Sequence, residues 1–194
     1  LLEPPGEMTE GTILLKGDRI DHLDDAAQRK IRGARIGMIF QDPLTSLDPL
    51  QTIERQIVDT IQRHLNLAET EARARAVDLL DQVGIPDPDI RIAQYPHQFS
   101  GGMRQRVVIA IALAGEPELL IADEPTTALD VSVQDQILGL IRRLCRERKV
   151  GCLLVTHNMG VVASVTNRVA VMYMGKLVEI GPTQARAVTG MFRK

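Results

Sequence analysis

The sequence contains two cysteines in 194 residues, Cys145 and Cys152. Two cysteines at this spacing are too few for a disulfide framework or a zinc site. Both fall in apolar stretches, Cys145 on the apolar side of a predicted helix and Cys152 at the start of an apolar run. We therefore expect both to be buried as small hydrophobic residues, in a protein from a reducing compartment.

The chain also lacks an excess of basic charge and any long apolar segment. Its formal net charge is −2 and its pI is about 6.1, so it has no basic footprint for nucleic acid. No apolar run approaches the about 20 residues that a membrane-spanning helix needs. The chain starts at Leu1 without a basic region followed by an apolar one, so we expect no signal peptide. We expect any membrane contact to be peripheral or through a partner.

Apolar residues make up 44% of the chain. This content and the length of the chain are enough for one hydrophobic core and a small appended subdomain. Apolar runs predict strands over residues 12–16, 35–40, 118–122 and 152–156. Helices are predicted over 24–32, 104–114 and 133–148, and a closing hairpin over 168–174 and 176–180. Strands that alternate with helices indicate a mostly parallel α/β sheet.

One segment of the chain has helical signals and no strand signal. Its apolar residues recur at a spacing of about four, in two series: Ile53, Ile57, Ile61, Leu65 and Ala72, Ala76, Leu80, Val83. This periodicity predicts two amphipathic helices. We therefore predict an α/β core formed by residues 1–43 and 97–194, and an α-helical subdomain formed by residues 44–96.

A hydroxyl and two glycines, Ser100, Gly101 and Gly102, stand immediately before one of the predicted helices. The free N–H groups and the positive end of the helix dipole meet at such a start, which is therefore suited to a phosphate. Glycine allows the backbone to approach a ligand closely. The simpler interpretation is that Ser100 is an ordinary helix N-cap.

An apolar run beginning at Leu119 stops on two acids, Asp123 and Glu124. Catalytic groups of α/β sheets lie at the carboxyl ends of strands. A helix start suited to a phosphate, just upstream of a paired acid on a strand end, suggests nucleotide chemistry with a metal. Both side chains can face one crevice if the chain turns at the end of the strand. The alternative is a solvated acidic exit from the strand.

These motifs resemble the signature motif and the Walker B strand of ATP-binding-cassette ATPases. The form Phe-Ser-Gly-Gly-Met-Arg-Gln-Arg at 99–106 is similar to the oligopeptide, dipeptide and nickel importer branch of that family. Gln41 resembles the Q-loop, Asp130 the D-loop and His157 the switch histidine, in the family's order. The resemblance implies a P-loop-type α/β nucleotide-binding domain with an α-helical subdomain.

The resemblance also implies catalytic roles for Glu124, His157 and Gln41. Glu124 would orient or deprotonate the attacking water, and His157 would contact the γ-phosphate and that water. Gln41 would ligate Mg²⁺ or the water, through a loop that leads into the helical segment. From the residues alone, a glutamine before Asp-Pro is more often a turn residue, and a lone histidine after a strand is usually hydrogen-bonded in the core.

ATP and Mg²⁺ are the cofactors that the resemblance implies. Mg²⁺ would be held by Asp123 and Gln41. The nucleotide of the opposite subunit would be contacted by the signature residues and the D-loop, namely Ser100, Gly101, Gly102, Met103 and Asp130. The alternative for Asp130 is an acid that stabilises the N-terminus of the following helix.

The partners implied are a second ATP-binding subunit, identical or different, and the permease subunits of a membrane importer. A solute-binding protein would be linked indirectly, and no nucleic acid is expected. The protein would lie at the cytoplasmic face of the bacterial inner membrane and energise the import of peptides or nickel.

One part of the family pattern is missing, because the chain contains no Gly-x-x-x-x-Gly-Lys-[Ser/Thr] sequence. In the family this P-loop lies upstream of the position of Leu1, so we expect the α/β core to be incomplete at its N-terminus. The chain is then either a piece of an ATPase or a degenerate subunit that at most completes a partner's site. A cassette protein without a transporter is the third interpretation, which the acidic charge balance does not support.

Overall fold

The computed structural model describes residues 8–127 and 129–183, which separate into two compact units at Arg32 and Gly33. The first unit contains a small hairpin of β1 (Leu14–Leu15) and β2 (Asp18–Arg19), followed by helix α1 (Asp25–Ile31). Lys16 and Gly17 both have positive φ, as a tight hairpin turn requires. The predicted strand over 12–16 is therefore shortened to two residues, because the chain reverses at Lys16.

The second unit is built on a parallel sheet of three strands. Its strands are β3 (Ile36–Ile39), β4 (Leu119–Asp123) and β5 (Gly151–Val155), in the order β3-β4-β5. Ile39 pairs with Ala122, and Asp123 pairs with Val155. The predicted parallel α/β sheet is confirmed, and β4 lies at its centre.

The segment between β3 and β4 is helical throughout. It contains α2 (Pro43–Ser46), α3 (Ile53–Leu65), α4 (Glu69–Gln82), α5 (Pro88–Arg91), a 3₁₀ turn (Pro96–Gln98) and α6 (Gly101–Ala114). Both predicted amphipathic helices are confirmed, as α3 and α4. The boundary of a separate subdomain at residues 44–96 stays a prediction.

Helix α6 lies in the middle of the core and packs against β3, α3 and α4. Its last two turns are apolar on every side, and most of their side chains between Val107 and Ala114 are buried. The structure begins this helix at Gly101, three residues before the predicted start at Arg104. The reason is that Ser100 caps the helix and glycines fill its first turn, where they give no apolar periodicity.

The rest of the chain consists of two further helices and a hairpin. Helix α7 (Val131–Arg148) is the helix predicted over 133–148, and it buries Ile137, Ile141 and Leu144. Helix α8 (Met159–Val165) follows β5. Strands β6 (Arg168–Tyr173) and β7 (Lys176–Pro182) form the predicted antiparallel hairpin.

The prediction for the two cysteines is half right. Cys145 on α7 is buried, whereas Cys152 on β5 is exposed, so the prediction of a buried Cys152 is wrong. The physical reason is that β5 lies at an edge of the three-stranded sheet, where β4 covers it on one side only. Among the described residues, no helix is both long and apolar enough to cross a membrane.

Candidate functional site

The carboxyl ends of the three parallel strands bring the predicted catalytic residues to one edge of the sheet. Gln41 follows β3, Asp123 is the last residue of β4 and Glu124 is the next, and His157 follows β5. This edge is where α/β sheets bind their ligands. The sheet topology alone therefore places these four side chains in one neighbourhood.

The chain turns sharply at Glu124. This residue has a φ of +43°, which is uncommon outside glycine, and its N–H donates to the carbonyl of Val155 over 2.9 Å. Such strained backbone persists only where surrounding contacts hold it, and it concentrates at functional sites. The chain therefore turns at the end of β4, as the prediction of a shared crevice requires. That Asp123 and Glu124 both face this crevice stays a prediction.

The Glu124 carboxylate is held by the side chains of Gln41, Thr127 and His157. We call these four residues the Glu124 cluster. Its Oε2 accepts from the Gln41 amide over 3.3 Å and from the Thr127 hydroxyl over 2.8 Å. Its Oε1 lies 2.9 Å from Nδ1 of His157. The side chain of His157 is 77% exposed and that of Glu124 is 26% exposed, so the cluster opens to solvent and a ligand can reach it.

These contacts lower the pKa of Glu124 below its usual value. The hydrogen bond with His157 is the largest cause, followed by that from Thr127, while partial burial acts in the opposite direction. Hydrogen bonds to the charged form of a carboxyl favour that form. Glu124 is therefore ionised at neutral pH and oriented by its neighbours.

Thr127 is the member of this cluster that the sequence does not predict. Its hydroxyl approaches both the backbone carbonyl and the carboxylate of Glu124, over 3.3 and 2.8 Å, and its N–H donates to the same carbonyl. The only signal in the sequence is a threonine three residues after an acid, in a turn that begins at Glu124. That spacing is common in loops and does not by itself indicate a functional role.

The residues at this edge fit a magnesium ion. Magnesium is held by one or two carboxylates together with phosphate oxygens, and not by an all-protein cage. Asp123 supplies a carboxylate at the end of β4, and Gln41, whose amide nitrogen donates to Glu124, has an amide oxygen to offer as a second ligand. Residues 8–127 and 129–183 contain no group of three or more His, Cys, Asp or Glu side chains that could hold a metal alone.

Helix α6 begins at Gly101, and Ser100 is its N-cap residue. The Ser100 hydroxyl accepts from the N–H of Met103 over 3.3 Å, so the simpler interpretation of this serine is observed. A Cβ on Gly102 would lie 2.9 Å from Cγ1 of Val133, whereas one on Gly101 would meet Leu129 only at 3.7 Å. Gly102 thus allows α6 to pack closely against the first turn of α7.

Asp130 caps α7, accepting from the N–H of Val133 over 3.0 Å. The alternative interpretation of Asp130 as a helix N-terminal acid is therefore observed, and its contact with a second subunit stays a prediction. Within the described part of the chain, no hydrogen bond joins Ser100 or Asp130 to the Glu124 cluster. The predicted residues thus form two groups, one around Glu124 and one at the helix starts.

The sequence is similar to those of known proteins. The family described as "ABC transporter" matches residues 2–127. The dipeptide transport ATP-binding protein DppD of Bacillus subtilis is 53% identical over 182 residues, which cover 93% of this chain and 54% of DppD. The oligopeptide transport ATP-binding protein OppD of the same organism is 52% identical over 92% of this chain and 50% of its own length. The chain thus spans about half the length of these relatives.

Solved structures show the same fold. A dimeric post-hydrolysis state of the ATP-binding cassette MJ0796, bound to ADP and Pi, superposes with a TM-score of 0.80 at 29% identity. The match covers 93% of this chain and 76% of that one. The protein cbiO1 from Clostridium perfringens, part of the ABC transporter complex cbiONQ, gives 0.81 at 28% identity, over 94% and 69% of the two chains.

Proposed function

The chain belongs to the ABC transporter family, in the ATP-binding domain, and from that premise we propose that it forms part of the ATP-hydrolysing subunit of a peptide importer. The single observation that carries this proposal is the Glu124 cluster. A carboxylate that is ionised, solvent-accessible and oriented by an amide, a hydroxyl and an imidazole is equipped to position a water for attack on a phosphate.

The proposed roles within the cluster follow from its atoms. Glu124 orients the attacking water through the carboxylate oxygens that now accept hydrogen bonds, and takes its proton. His157 holds Oε1 of Glu124 and is exposed enough to reach a γ-phosphate beside it. Gln41 holds Oε2 of Glu124, and its loop leads into α2, so a ligand bound at Gln41 can influence the position of the helical segment.

Asp123 and Gln41 are proposed to hold Mg²⁺ where the strands end. A bound Mg²⁺ neutralises charge on the phosphate oxygens. Asp123 is suited to this task because it is the last residue of the central strand, directly before the turn at Glu124. Gln41 contributes the neutral oxygen that completes the oxygen-rich ligand set which this ion prefers.

The N-terminus of α6 is proposed to bind the γ-phosphate of a nucleotide held by a second subunit. Ser100, Gly101 and Gly102 offer a hydroxyl and free N–H groups at the positive end of a helix of 14 residues. Met103 and Asp130 lie beside this surface, where they would contact that nucleotide and the partner. The related cassette MJ0796 is a dimer in its solved structure, which supports an arrangement of two subunits.

Peptides are the proposed cargo, because both B. subtilis relatives are named for dipeptide or oligopeptide transport. Nickel, the other cargo of the branch, stays an untested prediction. We propose that the helical segment 44–96 meets the membrane permease, that a solute-binding protein delivers the peptide, and that the subunit lies at the cytoplasmic face of the membrane.

The absent P-loop sequence gives a direct test. We define the Walker A chimera as the segment of B. subtilis DppD that precedes its match to this chain, joined to Leu1. The chimera should bind MgATP and hydrolyse it, because the phosphates gain the lysine and the glycine-rich loop that these 194 residues do not contain. The 194-residue chain alone should do neither. Fluorescent-nucleotide titration and phosphate release measure both activities.

Two results would count against the proposal. One is saturable micromolar binding of MgATP by the 194-residue chain alone. The other is a folded chimera that binds no nucleotide. Circular dichroism of the chimera and of the chain provides the control for folding.

A second candidate function is that of a subunit that cannot bind ATP itself but completes a partner's site. The observation in its favour is the N-terminus of α6, where Ser100 caps the helix and accepts a hydrogen bond from the N–H of Met103. Under this function, the chain should raise the ATPase rate of a P-loop-bearing partner. Ser100→Arg should abolish the gain, because the longer side chain would fill the phosphate position, whereas Ser100→Thr should retain it. A gain that survives Ser100→Arg excludes this function.

A further inference from the structure

The two cysteines are brought together by the reversal of the chain between α7 and β5. Lys149 ends the helix in the left-handed conformation with a φ of +56°, and the N–H of Val150 returns to the carbonyl of Cys145 over 2.9 Å. This is the closing hydrogen bond of a Schellman motif. Strand β5 then begins at Gly151, so Cys152 returns alongside the last turns of the helix.

The alternation of β5 puts Cys152 on the face of the strand that packs against the core cluster containing Cys145. Val150 and Leu154 both pack against the buried core cluster that contains Cys145. Cys152 lies midway between them and shares their face of the strand, because every second residue of a strand points the same way. Each thiol shifts the pKa of the other, in agreement with the placement of the two side chains on facing elements.

The two thiols differ in exposure and in acidity. Cys145 is 7% exposed, whereas Cys152 is an exposed residue. The hydrogen bond from Cys145 lowers the pKa of Cys152, against the effect of partial burial. The same hydrogen bond and burial both raise the pKa of Cys145. Cys152 is therefore the thiol that ionises first and meets a solute, and Cys145 is the neighbour that stays protonated.

We propose that Cys145 and Cys152 form a reversible disulfide when the protein meets a peroxide. The Cys152 thiolate attacks one peroxide oxygen, breaks the O–O bond and becomes a sulfenic acid, and with hydrogen peroxide the leaving hydroxide takes a proton to form water. The sulfur of Cys145 then attacks the sulfenic sulfur, an S–S bond forms, and a second water leaves with the thiol proton. Two thiols are oxidised by two electrons, and one peroxide is reduced.

This bond would join two elements that support the proposed nucleotide site. Helix α7 starts directly after Asp130, and β5 ends two residues before His157. The chemistry of the pair does not depend on the proposed function, so it can be tested on the chain without nucleotide. Disulfides of intracellular proteins are usually transient and redox-sensing, which is the character expected of this pair.

The test is oxidation of the folded 194-residue chain by hydrogen peroxide, followed by mass spectrometry. The chain should lose the mass of two hydrogen atoms and remain a monomer, and dithiothreitol should restore it. Trypsin cleaves at Arg146, Arg148 and Lys149, so the two cysteines fall in separate peptides unless a disulfide joins them. The bond should form about tenfold or more faster in the folded chain than in urea, because folding holds the thiols together.

Single variants separate the two roles. Cys145→Ala should leave Cys152 as a sulfenic acid that dimedone traps, and Cys152→Ser should leave Cys145 unmodified because it is buried. Two free thiols after excess peroxide would overturn the proposal. So would a disulfide between two chains, or a disulfide that forms faster in urea than in the folded chain.

Discussion

At the scale of single residues, Glu124 is the group on which the proposed chemistry depends, and its neighbours set its properties. Three side chains from three parts of the chain converge on its carboxylate. Each of these hydrogen bonds is made to the ionised form. The same contacts that orient Glu124 therefore also make it a weaker base until a ligand or a water replaces one of them.

Thr127 is expected to control the acidity of Glu124. Thr127→Val removes the hydroxyl that donates to Oε2, so the pKa of Glu124 should rise toward its usual value, whereas Thr127→Ser should leave it low. Carbon-13 NMR titration of the Glu124 carboxyl measures this midpoint in the 194-residue chain. An unchanged midpoint in Thr127→Val would show that the hydroxyl does not act on the carboxylate.

The sign of the accompanying stability change follows from linkage. A carboxyl with a lowered pKa in the folded state stabilises the fold above its unfolded pKa, and the contribution is lost as pH falls through the folded value. The wild-type chain should therefore lose more stability than Thr127→Val between neutral and acidic pH. Urea denaturation at several pH values measures the loss of stability of each variant and checks which is larger.

Part of the site was predictable at this scale. Gln41, Glu124 and His157 each follow an apolar run, and parallel strands bring such positions to one edge whatever the details of packing. The contact of Thr127 was not predictable, because it depends on the positive φ at Glu124. The sequence does not specify that backbone conformation, since glutamate adopts it only where tertiary contacts impose it.

At the scale of elements, helix α6 packs closely against strand β3. A Cβ on Gly37 of β3 would lie 2.2 Å from the backbone oxygen of Ala112 on α6. Backbone atoms of a buried helix cannot move aside as the end of a long side chain can. The sheet and the helix that carries Ser100 therefore depend on glycine at this position.

Gly37→Ala should therefore destabilise the fold, by about 1–3 kcal/mol or more, as overpacking of a well-packed core does. The matched control is Gly139→Ala on an exposed part of α7, where an added Cβ meets nothing within 4 Å. That variant should gain about 0.5–1 kcal/mol from helix propensity. Urea denaturation of both variants measures the difference. Equal stabilities would contradict the packing argument.

The elements were largely predictable because their apolar periodicity is strong. Helices α3 and α4 repeat at a spacing of about four, and β4 is a continuous apolar run between polar ends. The start of α6 was not predictable, since its first residues are glycines whose helical state depends on the Ser100 cap. The exposure of Cys152 was not predictable either, because neighbouring strands decide which side of β5 is covered.

At the scale of the whole molecule, the described residues contain two separate groups that we propose act on nucleotide. One is the Glu124 cluster at the edge of the sheet, and the other is the open N-terminus of α6. The chain spans about half the length of its B. subtilis relatives, and its 194 residues contain no P-loop sequence. Under the proposed function, the phosphates would be held by a Walker A segment, which these 194 residues do not contain.

The most direct test of the account is single-turnover hydrolysis of MgATP by the Walker A chimera with Glu124→Gln. The amide keeps the shape of the side chain but cannot accept a proton. We predict that nucleotide affinity is retained while hydrolysis falls about 10²–10⁴-fold, the usual contribution of a general base. An unchanged rate of hydrolysis in a chimera that still binds MgATP would contradict the central claim that Glu124 activates the water.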